Sequence, residues 1–221
     1  MKHFTFLLSA FVSSSLMAIP GTGVQDMGTA NIEFSSQGTV SATLGAFQKG
    51  FFKSDIGLSY DIEKAKAPLF ALKCGVEEGA ISPHVPAFSA GLFQMKSLGS
   101  NYNVYHIGVS KSLETITNGV VSFGYFQGER GIGEDRKGIC MGYKQVFLTA
   151  KDAHGVMFNQ LAVEASYTQK NTFLGGSKLT LKYKINPSVQ VNFGPSWSSS
   201  KKDGSYKMGS KKWVASISMD I

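Results

Sequence analysis

Apolar and polar residues alternate along most of this chain, one short segment after another. Ile56, Leu58, Tyr60 and Ile62 are interleaved with Asp55, Gly57, Ser59 and Asp61. Phe70, Leu72, Cys74 and Val76 are interleaved with Ala71, Lys73, Gly75 and Glu77. Leu179, Leu181, Tyr183 and Ile185 are interleaved with Lys178, Thr180, Lys182 and Lys184. Successive side chains leave opposite faces of a β-strand, so a period of two predicts strands with one apolar and one polar face. Weaker versions recur at Tyr105–Val109, Val121–Tyr125, Leu161–Tyr167 and Val189–Trp197. The last runs through Trp213, Ala215, Ile217, Met219 and Ile221. The pattern predicts strands at 29–35, 39–47, 52–62, 68–77, 84–95, 101–110, 118–127, 137–150, 155–168, 177–186, 188–198 and 211–221. The eighth must carry a bulge, because its apolar phase (Ile139, Met141, Tyr143) shifts toward Val146 and Leu148.

Repeated two-faced strands joined by short turns imply an all-β fold, an antiparallel up-and-down barrel of about twelve strands. Two turns, 78–83 and 111–117, are long enough to leave ten strands open. A soluble sandwich or lipocalin-like barrel would turn the apolar face inward; a transmembrane barrel would turn it outward. Three features favour the membrane. The polar face is dominated by Gly, Ser, Lys, Asp and Glu. Aromatics gather near strand ends (Phe51, Phe52, Phe70, Tyr102, Phe173, Trp197 and Trp213) in the manner of an interfacial girdle. An alternating strand also closes the chain, as it commonly does in outer-membrane barrels. Longer, more charged connections at 128–136, 169–176 and 199–210 alternate with tight ones at 48–51, 151–154 and 186–187. Long outer loops and short periplasmic turns give that alternation when both ends of the strand array are periplasmic.

Composition sharpens this picture. The chain has 221 residues, 12% of them aromatic, 17% charged, and 25 are glycine. After the N-terminus no apolar run approaches the roughly 20 residues a membrane-spanning helix needs. Lys2, the apolar stretch Phe4–Val12 and the small residues up to Ala18 form a signal-peptide pattern. Residues 1–18 are therefore expected to be cleaved, leaving 19–221 as one barrel domain in a bacterial outer membrane. The formal net charge of +7 suits outer-membrane lipid and anionic lipopolysaccharide as partners, not nucleic acid, for an exported chain.

Several segments resemble a family of small predicted outer-membrane β-barrel proteins, porin-like in pattern. They are IPGTGVQDMGTANIEF (Ile19–Phe34), NYNVYHIGVSKSL (Asn101–Leu113), VSFGYFQGE (Val121–Glu129) and Leu161–Trp197 with its Asn186-Pro187 turn. The resemblance implies the barrel and carries no activity. Lysine-richness near the C-terminus and a final Ile221 depart from that family's pattern.

Catalytic and metal-binding constellations are not evident in the residues. Beyond residue 18 the histidines are His84, His106 and His154, and no His-x-Ser pair of the outer-membrane lipid hydrolases occurs. Asp152-Ala153-His154 matches half of an omptin-like site, without a carboxylate pair and on a predicted periplasmic turn, and reads better as a turn. GERGIG joins no strand to a helix and so carries no nucleotide fingerprint. Glu129, Glu134 and Asp135 would suit a divalent cation, although a solvated loop is the simpler reading. Cys74 and Cys140 fall in opposite strand phases, which argues against a disulfide. No cofactor is implied.

The predicted lumen face is the most informative surface. It carries Asp55, Asp61, Lys73, Glu77, Lys144, Glu164, Lys182 and Lys184, spaced by Gly57, Gly75, Gly108, Gly124 and Gly142. Such charges must line water or pair with one another. The expectation is a narrow passive channel for small solutes, not an enzyme. The alternatives are a non-conducting structural barrel whose loops bind lipopolysaccharide or a partner, and thirdly an outer-membrane enzyme. Lys201, Lys202, Lys207, Lys211 and Lys212 would meet lipid phosphates.

Overall fold

In a computed structural model the alternating segments become thirteen strands among the described residues. The structure describes residues 24–36, 38–61, 68–94, 103–113, 118–129, 136–169, 175–202, 205–208 and 211–221. The expected signal peptide lies outside them. The strands are β1 (Ala30–Ser35), β2 (Thr39–Lys49), β3 (Phe52–Asp61), β4 (Leu69–Val76), β5 (Ala87–Gln94), β6 (Asn103–Ser112) and β7 (Gly119–Gly128). They continue with β8 (Lys137–Lys151), β9 (Met157–Thr168), β10 (Gly176–Asn186), β11 (Val189–Lys202), β12 (Ser205–Met208) and β13 (Lys212–Asp220).

Each wall strand pairs antiparallel with its neighbours in sequence from β1 to β11. β1 also pairs with β13, and β13 with β11, so the sheet closes on itself. Closure leaves no free edge in the wall itself. Twelve strands make the wall. β12 pairs only with the far end of β11 and extends it as a hairpin.

The faces are inverted relative to a water-soluble protein. Leu58 and Ile107 are 52% and 59% exposed, whereas Asp55 and Ser59, one strand phase away, are 5% and 3% exposed. Leu44, Leu72, Phe88, Phe123, Met141, Leu179, Tyr183 and Phe193 also stand exposed, while Ser41, Ser89, Thr180 and Ser216 are buried. An apolar outer belt over a polar interior is stable only against hydrocarbon. The barrel is a transmembrane one.

Local irregularities sit where the sequence breaks phase. In β8 the register slips after Val146, which still pairs with inward Ala162; Leu148 pairs with outward Leu161 and Thr149 with Asn159, so Phe147 on β8 and Gln160 on β9 are both passed over and the original register resumes. The expected irregularity is there, but it is confined to Leu148: Val146 stays on the inner phase, and from Thr149 onward the strand keeps the phase it had before. A second bulge, between Gly45 and Phe47 in β2, leaves the alternation of that strand looking intact. β5 starts at Ala87 and not at residue 84, since Pro86 has no N–H for the ladder. Cys74 and Cys140 are both free.

One end of the barrel carries the tight connections 50–51, 152–156 and 187–188, the longer 77–86 and the approaches to β1 and from β13; we call it the short-turn end. Its turns are locally determined. Asp152 accepts the N–H groups of His154 and Val156 at 2.9 and 2.8 Å, and Gly155 takes the left-handed conformation with φ +82°. Asn186 likewise accepts from Ser188 and Val189. The opposite, long-loop end carries the β11–β12 hairpin.

Candidate functional site: the inner wall

The inner wall has three chemically distinct sectors. The first lies on β2 to β4 at the short-turn end. Asp55 and Lys73 are cross-strand partners, and both point inward by phase. Lys53, 7% exposed, sits between Asp26 and Glu77, with its Nζ 2.7 Å from Glu77 Oε1. Glu77 itself is half exposed at the rim, one residue beyond β4.

The second sector spans β8 to β10. Lys144 is directly across from Glu164. Lys182 is diagonal to it, because Glu164 pairs with Thr180 and Lys182 with Ala162, and Lys182 Nζ reaches Glu164 Oε2 at 2.5 Å. That diagonal is within reach of long side chains. Lys184 approaches Asp220 at 3.5 Å and donates to the Pro187 carbonyl at 3.1 Å. Glu33 of β1 takes a hydrogen bond from Ser216 and feels Lys178 and Lys182 of β10. Those lysines stand three strands around the wall, on β10. Gln190, Asn192 and Ser216 add a polar chain on β11 and β13.

The third sector is apolar. Phe93 and Val104 face each other across β5 and β6, and Phe126 pairs with His106 across β6 and β7. Phe93, Val104 and Phe126 are at most 2% exposed. The His106 ring lies 6.2 Å from that of Phe93, and its Nδ1 finds no hydrogen-bond partner among the described residues.

Of the eight expected inner residues, Asp55, Lys73, Lys144, Glu164, Lys182 and Lys184 are placed by register on the inner face and Glu77 at the rim. The Asp61 side chain lies outside the described residues. Sequence reading passed over Lys53 and Glu33. Lys53 is hidden behind the aromatic pair Phe51-Phe52, and Glu33 sits in the least regular strand. It also missed the apolar sector. The signal there was Phe126, an aromatic on the polar phase of an otherwise regular strand.

Outside the lumen, Phe193 stacks on Trp213 with ring centroids 4.9 Å apart, and Lys211 Nζ lies 4.4 Å over the Trp213 ring. Lys212 is one phase away from exposed Trp213 and so belongs to the inner face. Lys201 and Lys207 lie on the β11–β12 hairpin, opposite Tyr206 and Ser200, with Lys202 opposite Ser205. Their side chains are outside the described residues.

Histidines are dispersed. His84 and His154 are exposed on short-turn connections, and His106 is on the wall. No set of three potential metal ligands converges among the described residues. Glu129 accepts hydrogen bonds from the Asn103 N–H, the Asn103 amide and the Tyr105 hydroxyl. The Asn103 bonds hold its carboxyl below the usual range. The other carboxylates of that loop, Glu134 and Asp135, lie outside the described residues.

No protein-family model matches the chain, and no curated protein does. Among solved structures it is similar to two mutants of the Rh. blastica porin, at 7% identity with TM-scores of 0.43 and 0.42. The match covers 83% of this chain and 55% and 56% of those, so the chain spans little more than half their length. It is also similar to the NanC porin, at 7% identity and a TM-score of 0.44, over 86% of this chain and 98% of that one. Function is accordingly read from this chain's own wall and lumen.

Proposed function

We propose that the protein is a narrow passive channel for small solutes in a bacterial outer membrane, with residues 1–18 removed as a signal peptide. The observation that carries this reading is the charged inner wall. Lys144, Glu164, Lys182 and Lys184 with Asp220 form one sector, and Asp55, Lys73 and Lys53 another. A barrel meant only to be filled is more economically filled with apolar side chains, because charges taken out of water cost several kcal/mol each unless solvated or well paired. Ion pairs along a wet passage set a local field without blocking it. The resemblance to small predicted outer-membrane barrels agrees with this placement. Lys211 over Trp213, with Lys201, Lys202 and Lys207 on the same end, supports contact with lipopolysaccharide phosphates there.

A second reading is favoured by the apolar sector. Phe93, Val104 and Phe126 are almost fully covered, as expected for a non-conducting barrel that serves lipopolysaccharide or a partner through its loops. Reconstitution into planar bilayers separates the two. Discrete, ohmic conductance steps are expected for the channel. Their absence from protein that migrates as a folded barrel on an unheated gel would sink the channel and leave the structural barrel.

A further inference from the structure

We propose that Val24–Gly28, the segment leading into β1, is a built-in constriction docked against the inner wall at the short-turn mouth. This rests on the channel reading and adds to it the element that limits passage.

The segment touches three strands, each on the polar inner phase. Val24 is 6% exposed, and its Cγ2 would lie 3.0 Å from a Cβ at Gly75 of β4. The Gln25 N–H donates to Asp55 Oδ2 of β3 at 3.3 Å. Asp26 pairs with Lys53 of β3, which is also held by Glu77. A Cβ at Gly45 of β2 would overlap the Asp26 carbonyl. The chain then reverses. The Thr29 N–H donates to the Asp26 carbonyl at 3.0 Å, with the Thr29 hydroxyl on the same oxygen at 2.7 Å. Gly28, with φ +83°, donates to the Gly45 carbonyl at 3.1 Å. Gly45 returns its own N–H to the Thr29 carbonyl at 2.9 Å.

Two inward glycines thus leave the room the segment occupies, and two inward charges hold it. A wall built only to line water has no need of either arrangement. The β2 bulge falls directly after Gly45, where the strand meets the segment, and bulges are frequent where a strand is re-aimed. Apart from the packing of Val24 and the Gly28 N–H on Gly45, the segment is held by side-chain groups, so it can leave without disturbing the β1–β2 register that begins at Ala30 and Leu44.

The test is Gly45→Ala in the full-length protein. Gly45 shows no left-handed backbone, so alanine is compatible with the strand and incompatible with the docked segment. Asp26→Ala is the second variant, removing the anchor while adding nothing to the wall. Gly57→Ala is the control: another inward glycine, whose Cβ would meet Ala71 and Thr43 and no part of the segment. Each is made with Val24→Cys in a Cys74→Ser, Cys140→Ser background, and reacted with a charged water-soluble maleimide. Gly45→Ala and Asp26→Ala should raise the labelling rate at least about tenfold, the factor that losing about 1.4 kcal/mol of anchoring gives. Unit conductance should rise about twofold or more in both, whereas Gly57→Ala, which only adds a methyl to the lumen, should raise neither readout above its parent. Rapid labelling already in the parent overturns the docking. Faster labelling with unchanged, non-zero conductance overturns the constriction. Zero conductance in every variant is instead the failure of the channel reading, and the constriction falls with it.

Discussion

At the residue scale, the carboxylate of Asp152 shows how a catalytic-looking motif resolves into structure. Asp152-Ala153-His154 has the composition of half a hydrolytic site. Its carboxylate is nevertheless bonded to the N–H groups of His154 and Val156, and the backbone closes the same turn through Gly155 N–H to the Asp152 carbonyl at 3.0 Å. His154 stands exposed, with no acid partner beyond this turn among the described residues. Asp152→Ala should therefore cost about 1 kcal/mol, the usual worth of a local cap of this kind. Asp152→Asn keeps the acceptor and should cost less. Urea unfolding in detergent micelles reads the difference, and conductance should be the same for both variants. A loss of some measured activity in correctly folded Asp152→Ala would revive a chemical role.

At the element scale, pattern and fold agree where one side of a strand faces hydrocarbon. The wall strands, and an irregularity in β8, show in where apolar residues fall on a period of two. That signal is strong because a one-residue slip would put a whole set of polar groups into lipid. It fails where lipid does not decide. β12 lies beyond the wall, the β2 bulge leaves apolar residues facing out on both sides of it, and Val24–Gly28 precedes the first strand and is held by Asp55, Lys53 and the Gly45 backbone, contacts that alternation does not encode. The same limit applies to the inner wall. Alternation says that Lys182 and Glu164 point inward, and folding their two strands into a hairpin brings them opposite or diagonal; the β9–β10 register decides for the diagonal. Connections at the short-turn end are likewise held by contacts between elements. Glu78, in the β4–β5 connection, accepts hydrogen bonds from the Ser112 N–H and hydroxyl and pairs with Lys111 at 2.7 Å. Partial burial works to raise its carboxyl, and the bonds from Lys111 and Ser112 outweigh that, leaving it below its ordinary value. A depressed carboxylate stabilises the fold above its unfolded pKa. That stabilisation is lost as the pH falls through the lower, folded value. Stability should thus decline below about pH 4.5, by about 0.5–1 kcal/mol from this group because the pair is open to water. Glu78→Gln should flatten that part of a stability-versus-pH curve and leave the rest unchanged.

At the scale of the whole molecule, the question is whether the inner charges act as a field on passing ions or only satisfy one another. Lys182 is the informative residue, because it holds Glu164 at 2.5 Å and lies within electrostatic range of Glu33 and Lys144. Lys182→Glu changes the lumen by two negative charges and sets two carboxylates side by side. Two effects follow, and they must be separated. One is stability: removing one partner of a buried pair can cost about 3–5 kcal/mol, reduced here by the water that reaches both side chains. The other is selectivity, which depends on net charge along the path and not on which strand carries it. The exchange Lys182→Glu with Glu164→Lys restores both the pair and the net charge. Reversal potentials under a salt gradient should therefore move toward cations in Lys182→Glu and return nearly to the parent value in the exchanged pair. Unfolding midpoints should follow the same order. If the single variant folds and conducts with an unchanged reversal potential, Lys182 and Glu164 are a structural clasp outside the conduction path. If the exchanged pair stays cation-shifted, position on the wall matters more than total charge, and the narrowest part of the passage lies nearer β9 or β10 than a uniform field would place it.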